Sequence, residues 1–227
     1  MTNLGYTIGR TTVQRILHEH GIEPAPERES RGSWAVFIKS HLGSIAAADF
    51  FTVELLTFVG LVRHYVFFVI DIRSRKIEIA GIIHQPYGEW MLQIARNLVD
   101  VEDGFLRKAS HLILDRDPLY THDFRALLRC AGVKPVCLPA RSPNLNAYAE
   151  RFVLSIKTEC LSRLILFNEA QLRRTVDEYV EHYHRERNHQ GLGNELIDLC
   201  RKDFCGEGAV ECRERLGGVL EYYCRAA

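Results

Sequence analysis

The sequence lacks the features of a membrane-spanning, secreted or disulfide-stabilised chain. Its most apolar stretch, residues 55–72, is interrupted by Arg63, His64 and Asp71, so no window approaches the ~20 apolar residues that a membrane helix needs. The N-terminus has no apolar signal segment, and we therefore expect a cytoplasmic protein. The 7 cysteines include no C-x-x-C pair, which is typical of reduced, buried or incidental thiols rather than of a zinc site.

The chain also has no excess charge of either sign, since Lys plus Arg and Asp plus Glu both number 29. A neutral chain gives no electrostatic indication of a polyanionic partner. The basic residues are mostly Arg, whose planar guanidinium makes bidentate contacts with phosphate oxygens, although genomic composition explains this excess equally well. With 47% hydrophobic and 26% charged residues, the composition is that of an ordinary globular domain and excludes disordered and collagen-like chains.

The N-terminal segment differs in texture from the rest of the chain. Residues 11–20 have a helical pattern that Gly21 closes, and the Pro-rich, charged connector EPAPERESRG follows. We interpret residues 1–44 as one helix plus a linker. From residue 45 onward, three runs rich in β-branched and aromatic residues predict an antiparallel meander: IAAADFFTVELLTFVG, RHYVFFVIDI and RKIEIAGI.

The remainder of the chain alternates between helical and strand patterns. The predicted elements are a helix over 87–101, the strand HLILD, a helix over 121–130, the strand KPVCLPA, and long helices over 147–164 and 169–184. Three meandering strands followed by two more predict an α/β fold with a mixed five-stranded sheet and helices on its faces. In the tail, residues 198–227, the spacing of Leu216, Val219, Leu220 and Tyr223 predicts one amphipathic helix.

Three acidic residues lie where predicted elements would bring them near one another. Asp49 lies inside the first apolar strand, where a charge is costly unless something compensates it. Asp115 closes the run HLIL, at the strand end where α/β sheets bind ligands. Glu150 begins a helix behind a Pro-Asn loop. If the three carboxylates meet, they raise one another's pKa unless a cation lies between them, and oxygen donors alone suit Mg²⁺ or Mn²⁺.

Each of these acids also has a purely structural interpretation. A turn or a local hydrogen bond would account for Asp49. Capping of the following turn would account for Asp115, and Asp117 competes for that role. The helix macrodipole by itself favours Glu150 in a first turn. Asp71 also ends an apolar strand and is a rival for the site.

Longer sequence segments resemble one known protein family. In chain order, four segments resemble the catalytic core of the DDE integrases and insertion-sequence transposases: ADFFTVE, LDRDPLYTHDFRALL, LPARSPNLNAYAERFVLSIKTECLSRL and YVEHYHRERNHQGL. The resemblance covers residues 45–197 and implies a ribonuclease H-like, mixed five-stranded sheet with helices on both faces. Position by position, it places the three acids of the family on Asp49, Asp115 and Glu150.

The resemblance implies metal-dependent cleavage and transfer of DNA strands, as in transposition and DNA integration. Asp49, Asp115 and Glu150 would then hold two Mg²⁺ or Mn²⁺ ions, one activating a nucleophile and the other stabilising the leaving oxygen. The implied partners are DNA, both as element ends and as target duplex, and further copies of the same chain, since members of the family work as multimers.

Residues around Glu150 are candidate DNA contacts. Lys157 follows Glu150 by two helical turns on roughly the same face, although a solvated lysine is an equal alternative. Arg151, Asn144 and Asn146 are further candidates, but Asn in a Pro-containing loop is ordinarily turn chemistry. Other polar residues are interpreted as a solvated helix end, with DNA backbone contact as the second reading: His182, His184, Arg185, Arg187 and His189.

Two departures from the family pattern leave rival functions open. Asp117 stands where relatives often have Gly, which affects the expected backbone and metal geometry. The segment GRTTVQRILHEHGI resembles only the last helix of the N-terminal helix-turn-helix region found in such transposases. One rival is a catalytically silent remnant that only binds DNA or a partner. The other is a ribonuclease H-like nuclease acting on another nucleic acid, which rests on fold alone.

Overall fold

The computed structural model describes residues 10–20, 34–139, 143–198 and 209–225, and the connector EPAPERESRG lies outside them. The chain divides into two compact units, residues 1–41 and 42–227. In the first unit, the described residues form helices α1 (Arg10–Glu19) and α2 (Trp34–His41). The sequence pattern does not predict α2, because this helix has only 8 residues and no acidic residue in its first turn.

A five-stranded sheet forms the base of the second unit. Its strands are β1 (Ile45–Thr57), β2 (Gly60–Asp71), β3 (Ile77–Ile83), β4 (His111–Leu114) and β5 (Lys134–Cys137), in the spatial order β3-β2-β1-β4-β5. The first three strands form the predicted antiparallel meander, whereas β4 and β5 run parallel to β1. The prediction of a mixed five-stranded sheet is confirmed.

Helices cover both faces of this sheet. They are α3 (Gly88–Leu98), α4 (His122–Cys130), α5 (Ala147–Glu159) and α6 (Glu169–Arg185). On one face, Ala48 of β1 and Leu114 of β4 share a buried apolar cluster with Met91 of α3 and Phe124 of α4. No helix within the described ranges is long and apolar enough to cross a membrane.

Aromatic side chains pack α5 and α6 against the opposite face. Phe152 of α5 is completely buried, and its ring lies 6.4 Å from Phe51 and 4.8 Å from Phe68 between centroids. On its other side it contacts Tyr179 and Tyr183 of α6, at 6.2 and 5.2 Å. Because side chains alternate between the faces of a strand, the odd-numbered residues of β1 point toward α5. This face therefore carries Asp49 as well as Phe51.

The C-terminal tail corrects the sequence prediction. Among the described residues of 198–227, the regular structure is a β-hairpin of β6 (Val210–Arg215) and β7 (Leu220–Arg225), not an amphipathic helix. The cause is the turn, where Leu216, Gly217 and Gly218 have φ angles of 53°, 68° and 90°. Two glycines between short polar-apolar runs are a hairpin signal, because they accept positive φ without strain.

Candidate functional site

The strand register brings Asp49 and Asp115 to the same end of neighbouring strands. β1 and β4 are parallel and their last paired residues are Ala47 and Ile113. Asp49 and Asp115 each follow this pair by two positions, so their backbones lie side by side. Asp49 continues β1, whereas Asp115 is the first residue beyond β4. The sheet thus juxtaposes two acids that are far apart along the chain.

Three other carboxylates act electrostatically on Asp49. Burial, which is the largest cause, raises the pKa of Asp49 to about 6. A hydrogen bond from the Phe50 backbone N–H acts against this, and the negative charges of Asp115, Glu150 and Asp117 raise the pKa further. Burial also raises the pKa of Asp115, with a further contribution from the charge of Asp117. The site is therefore a region of like charges beside a half-buried acid.

Glu150 lies in the first turn of α5, and that turn is attached to β1. Asn146 stands at the N-cap of α5, is only 5% exposed, and donates from Nδ2 to the backbone oxygen of Ala48 at 3.5 Å. This contact and the packing of Phe152 hold the start of the helix next to the strand that carries Asp49. Glu150 itself is exposed to solvent.

Local hydrogen bonds show the structural roles that the acids also have. The Asp115 carboxylate accepts from the Asp117 backbone N–H at 3.0 Å, which is the turn-capping interaction considered for it. Asp49 accepts from the Phe50 N–H at 2.7 Å. The rival Asp71 is a turn residue, since its carboxylate accepts from both the backbone N–H and the hydroxyl of Ser74 at 2.6 and 2.7 Å.

The three predicted acids do not form one closed ligand set here. Within residues 10–20, 34–139, 143–198 and 209–225, no three His, Cys, Asp or Glu side chains lie close enough together to hold a metal ion. The structure brings Asp49 and Asp115 side by side and places Glu150 within electrostatic reach of Asp49. A three-acid metal site stays a prediction.

Tyr120 is a neighbour of the acids that sequence reasoning missed. Its side chain is 3% exposed, its ring packs on Phe50 and Phe67, and its buried hydroxyl has no hydrogen-bond partner among the described residues. Burial raises the pKa of this phenol, and the charges of Asp115, Asp49 and Asp117 raise it further. In the sequence, the only signal is that Tyr120 lies shortly after Asp115. By itself, Tyr120 looks like an ordinary aromatic residue of the core.

The predicted DNA contacts fall into different environments. Lys157 and Arg151 are exposed on α5. Asn146 is buried and donates to the backbone of β1, a structural contact that differs from the local turn chemistry considered for it. The backbone of Asn144 lies in a 3₁₀ turn, Pro143–Asn146, and its side chain lies outside the described part.

The polar end of α6 is a solvated face only in part: Arg185 is exposed as expected, whereas His182 and His189 are buried and His184 and Arg187 are partly buried, which corrects the interpretation for these four. His182 and His189 are 8% and 6% exposed. His182 Nδ1 lies 2.9 Å from Glu186 Oε2, and His189 Nε2 lies 2.8 Å from the backbone oxygen of Tyr183. Arg187 donates to Glu159 from Nε and Nη2, the shorter contact being 2.7 Å. These groups form hydrogen-bonded contacts between α6, α5 and the segment after α6.

Comparison with known proteins adds a family match over part of the second unit. Residues 131–195 match the family model described as integrase core domain. This segment contains β5, α5 and α6 and includes Glu150, but it begins after Asp49 and Asp115. No curated protein matches the sequence.

Solved structures add a comparison of the fold. The HTLV-2 integrase catalytic core domain, a dimeric form in complex with magnesium, aligns with a TM-score of 0.52 at 11% identity, covering 68% of this chain and 93% of that one. The catalytic core domain of BIV integrase aligns with a TM-score of 0.48 at 14% identity, covering 68% and 91%. The first alignment shows the fold of an integrase catalytic core, and with the family match it confirms the predicted integrase-like core.

Proposed function

We propose that this chain, which carries an integrase-like core, catalyses metal-dependent cleavage and transfer of DNA strands. The observation that carries the proposal is the parallel register of β1 and β4, which puts Asp49 and Asp115 side by side at one end of the sheet. The effect of Glu150 on the pKa of Asp49 supports its inclusion as the third acid. The match of residues 131–195 to the integrase core domain supports the reaction class.

The chemistry of the donor set fits divalent metal ions. All three acids offer carboxylate oxygens, the ligands that Mg²⁺ and Mn²⁺ prefer. Their mutual repulsion is part of why the pKa of Asp49 is raised, and a bound cation would reverse that repulsion. The HTLV-2 core is in complex with magnesium, which supports the same choice here. Asp49, Asp115 and Glu150 would hold two ions, which when bound supply nucleophile activation and stabilisation of the leaving oxygen.

The protein's own part in this reaction is positioning. β1 and β4 fix the backbones of Asp49 and Asp115, and the packing of Phe152 with the Asn146 contact fixes the helix of Glu150. Ionised acids at these positions would hold the divalent cations next to the cleaved phosphodiester without themselves forming a bond to it. Lys157 and Arg151, both exposed on α5, would contact the phosphates of a bound DNA strand.

A chain that binds DNA or a partner without catalysing is the second candidate. The separation of the three acids in the described part of the chain favours it, since no three-residue metal site is formed there.

We also propose self-association, because the HTLV-2 core is a dimeric form. Sedimentation of the purified chain tests this, and a monomer at all concentrations would contradict it.

Nicking of a supercoiled plasmid in the presence of Mn²⁺ or Mg²⁺ tests the catalytic proposal. We expect nicking by the native chain and a loss of about a hundredfold or more in Asp49→Asn, Asp115→Asn and Glu150→Gln. Glu89→Gln is the matched control, because Glu89 is also an acid in the first turn of a helix, α3, but on the other side of the sheet.

The outcomes separate the two candidates. Nicking that persists in any of the three acid variants would overturn the assignment of that residue. DNA binding by the native chain with no metal-dependent nicking would favour the non-catalytic candidate. Nicking that falls equally in Glu89→Gln would show that helix stability, not the carboxylate at position 150, is responsible.

A further inference from the structure

A cavity of about 580 Å³ lies beside α5, on the side of the helix next to Glu150. Its walls come from the end of β2, from α5, and from α6 with the segment that follows it. Cavities of ~300–1,000 Å³ are the size that holds small ligands. Neither the predicted acid site nor the fold accounts for this space.

Three guanidinium groups line the cavity, those of Arg75, Arg151 and Arg187. Among the described residues of the lining, none is acidic. All three guanidiniums act on the same phenol, Tyr183, and lower its pKa against the larger, raising effect of burial. The three positive groups therefore surround one point of the cavity wall.

Only one of these charges is neutralised by an ion pair in the described structure. Arg187 donates to both carboxylate oxygens of Glu159, which also accepts from the Tyr179 hydroxyl at 2.9 Å. Arg75 donates to the Ile72 backbone oxygen and lies over a tyrosine ring, and Arg151 has no ion-pair partner within the described part of the chain. Two guanidiniums without an ion-pair partner in the described residues therefore line the cavity, and such groups favour an anion.

The rest of the lining adds groups that suit a phosphate and a polar molecule that carries it. The Arg75 guanidinium lies 3.6 Å above the centroid of the Tyr148 ring, which is partly exposed. An Arg stacked on an aromatic ring presents its fork of N–H donors in one plane, the geometry that suits phosphate oxygens. The amides of Asn188 and Gln190 add hydrogen-bonding groups to the wall.

We propose that this cavity binds the phosphate group of a nucleotide. Arg75 and Arg151 bind the phosphate, and Arg187 adds positive charge while Glu159 holds it in place. The phosphate comes either from a free nucleotide or from a DNA strand. The second source rests on the proposed function, because Arg151 directly follows Glu150 along α5.

Calorimetric titration of the full chain without divalent metal tests this proposal. The probes are deoxyadenosine 5′-monophosphate, deoxyadenosine and a single-stranded oligonucleotide. We expect the monophosphate to bind, the nucleoside not to bind, and Arg151→Gln to weaken monophosphate binding about tenfold. Arg96→Gln is the matched control, since Arg96 is an exposed helical arginine on α3, across the sheet, and should leave binding unchanged.

Equal binding of nucleoside and monophosphate, no binding of either, or native affinity in Arg151→Gln would overturn the proposal. If the oligonucleotide displaces the monophosphate, the phosphate source is DNA; if it does not, the source is a free nucleotide, and both results support the site. Glu150→Gln separates this inference from the proposed function. The Glu150→Gln variant should retain monophosphate binding. If the native chain binds the monophosphate but does not nick DNA, the result counts against the proposed function and not against the cavity.

Discussion

Asp49 is unusual in both sequence and structure, because it is an acid inside an apolar strand and its carboxyl has a raised pKa. Its flanking apolar runs place it in a buried strand, and burial of its carboxyl is the main reason that its pKa rises to about 6. An acid in such a position weakens the fold at neutral pH unless a cation or a donor compensates it. The same reasoning does not distinguish Asp115 from Asp117, because both follow the same short strand and each accepts a hydrogen bond from the backbone N–H two positions later.

The sequence predicts Arg151 as a DNA contact, with Arg187 and His189 as second candidates, but it does not predict that these residues meet Arg75 and Tyr148 in one cavity. Arg75 lies in the turn between β2 and β3, at a φ of 65°, and gives no pattern of its own. Tyr148 and Arg151 are more than 70 positions further along the chain, and only the packing of α5 brings the three together. Charge clusters of this kind depend on tertiary contacts rather than on spacing along a helix.

His184 gives the clearest pH dependence in the described structure. Its Nε2 accepts a hydrogen bond from the Ile77 backbone N–H at 2.9 Å, which requires a neutral ring. Burial, the largest cause, lowers its pKa to about 4; Lys76, His189 and Arg185 lower it as well, whereas Asp198 raises it. The unfolded chain therefore binds more protons than the folded one between about pH 4 and the ordinary histidine pKa of about 6.5, so stability falls as the pH falls through that range.

We therefore expect the free energy of unfolding to drop by on the order of 1–2 kcal/mol from this residue between pH 7 and pH 5, allowing for partial solvent screening. Denaturant unfolding of the native chain and of His184→Gln at both values measures the effect. Gln can still accept from Ile77 but does not titrate, so the variant should lose this part of the pH dependence. His122→Gln, at an exposed position, should keep it, and an unchanged slope in His184→Gln would contradict the assignment.

At the scale of elements, prediction succeeded for the long strands of the meander and for the 4-residue strands β4 and β5, and it failed for the C-terminal hairpin. The three strands of the meander carry 13, 12 and 7 residues with clear β-forming runs, and their order and pairing are as expected. The 6-residue strands β6 and β7 give a helical spacing of apolar residues only when residues on both sides of the Gly217-Gly218 turn are combined. For such short segments, the turn residues are the better guide.

The C-terminal hairpin is attached to α6 through one arginine. Arg215 donates to both carboxylate oxygens of Glu186, the shortest distance being 2.7 Å, and to Glu178 at 2.9 Å. Hydrogen bonds from Arg215 and His182 lower the pKa of Glu186 against the opposing effect of burial. Because both partners are largely shielded from solvent, this network should exceed the ~0–1 kcal/mol typical of a surface ion pair.

Removal of this contact should loosen the hairpin while leaving the sheet intact. In Arg215→Gln we expect amide hydrogen exchange over residues 210–225 to accelerate about tenfold or more, with protection in β1 and β2 unchanged. Arg213→Gln is the control, because Arg213 lies in the same strand but is exposed. Native exchange rates in Arg215→Gln, or equal acceleration in Arg213→Gln, would show that the network does not hold the hairpin.

For the molecule as a whole, sequence patterns predict the fold, whereas convergence of the three acids is expected only if the sheet brings them together. A strand meander followed by alternating helices and strands specifies the mixed sheet, and the observed order and the integrase-like alignment confirm it. Whether Asp49 and Asp115 meet depends on the register of two parallel strands, which short strands such as HLIL do not determine by themselves. The position of Glu150 depends further on how α5 is attached to the sheet.

Titration of the native chain with Mn²⁺ at neutral pH, without DNA, tests the central claim most directly. If Asp49, Asp115 and Glu150 form one metal site, calorimetry or electron paramagnetic resonance should detect Mn²⁺ bound to the native chain. Each of Asp49→Asn, Asp115→Asn and Glu150→Gln should lose most of that affinity, and Asp123→Asn, at an exposed acid of α4, should retain it. Native affinity for Mn²⁺ in any one of the three acid variants would contradict the claim that these carboxylates act together.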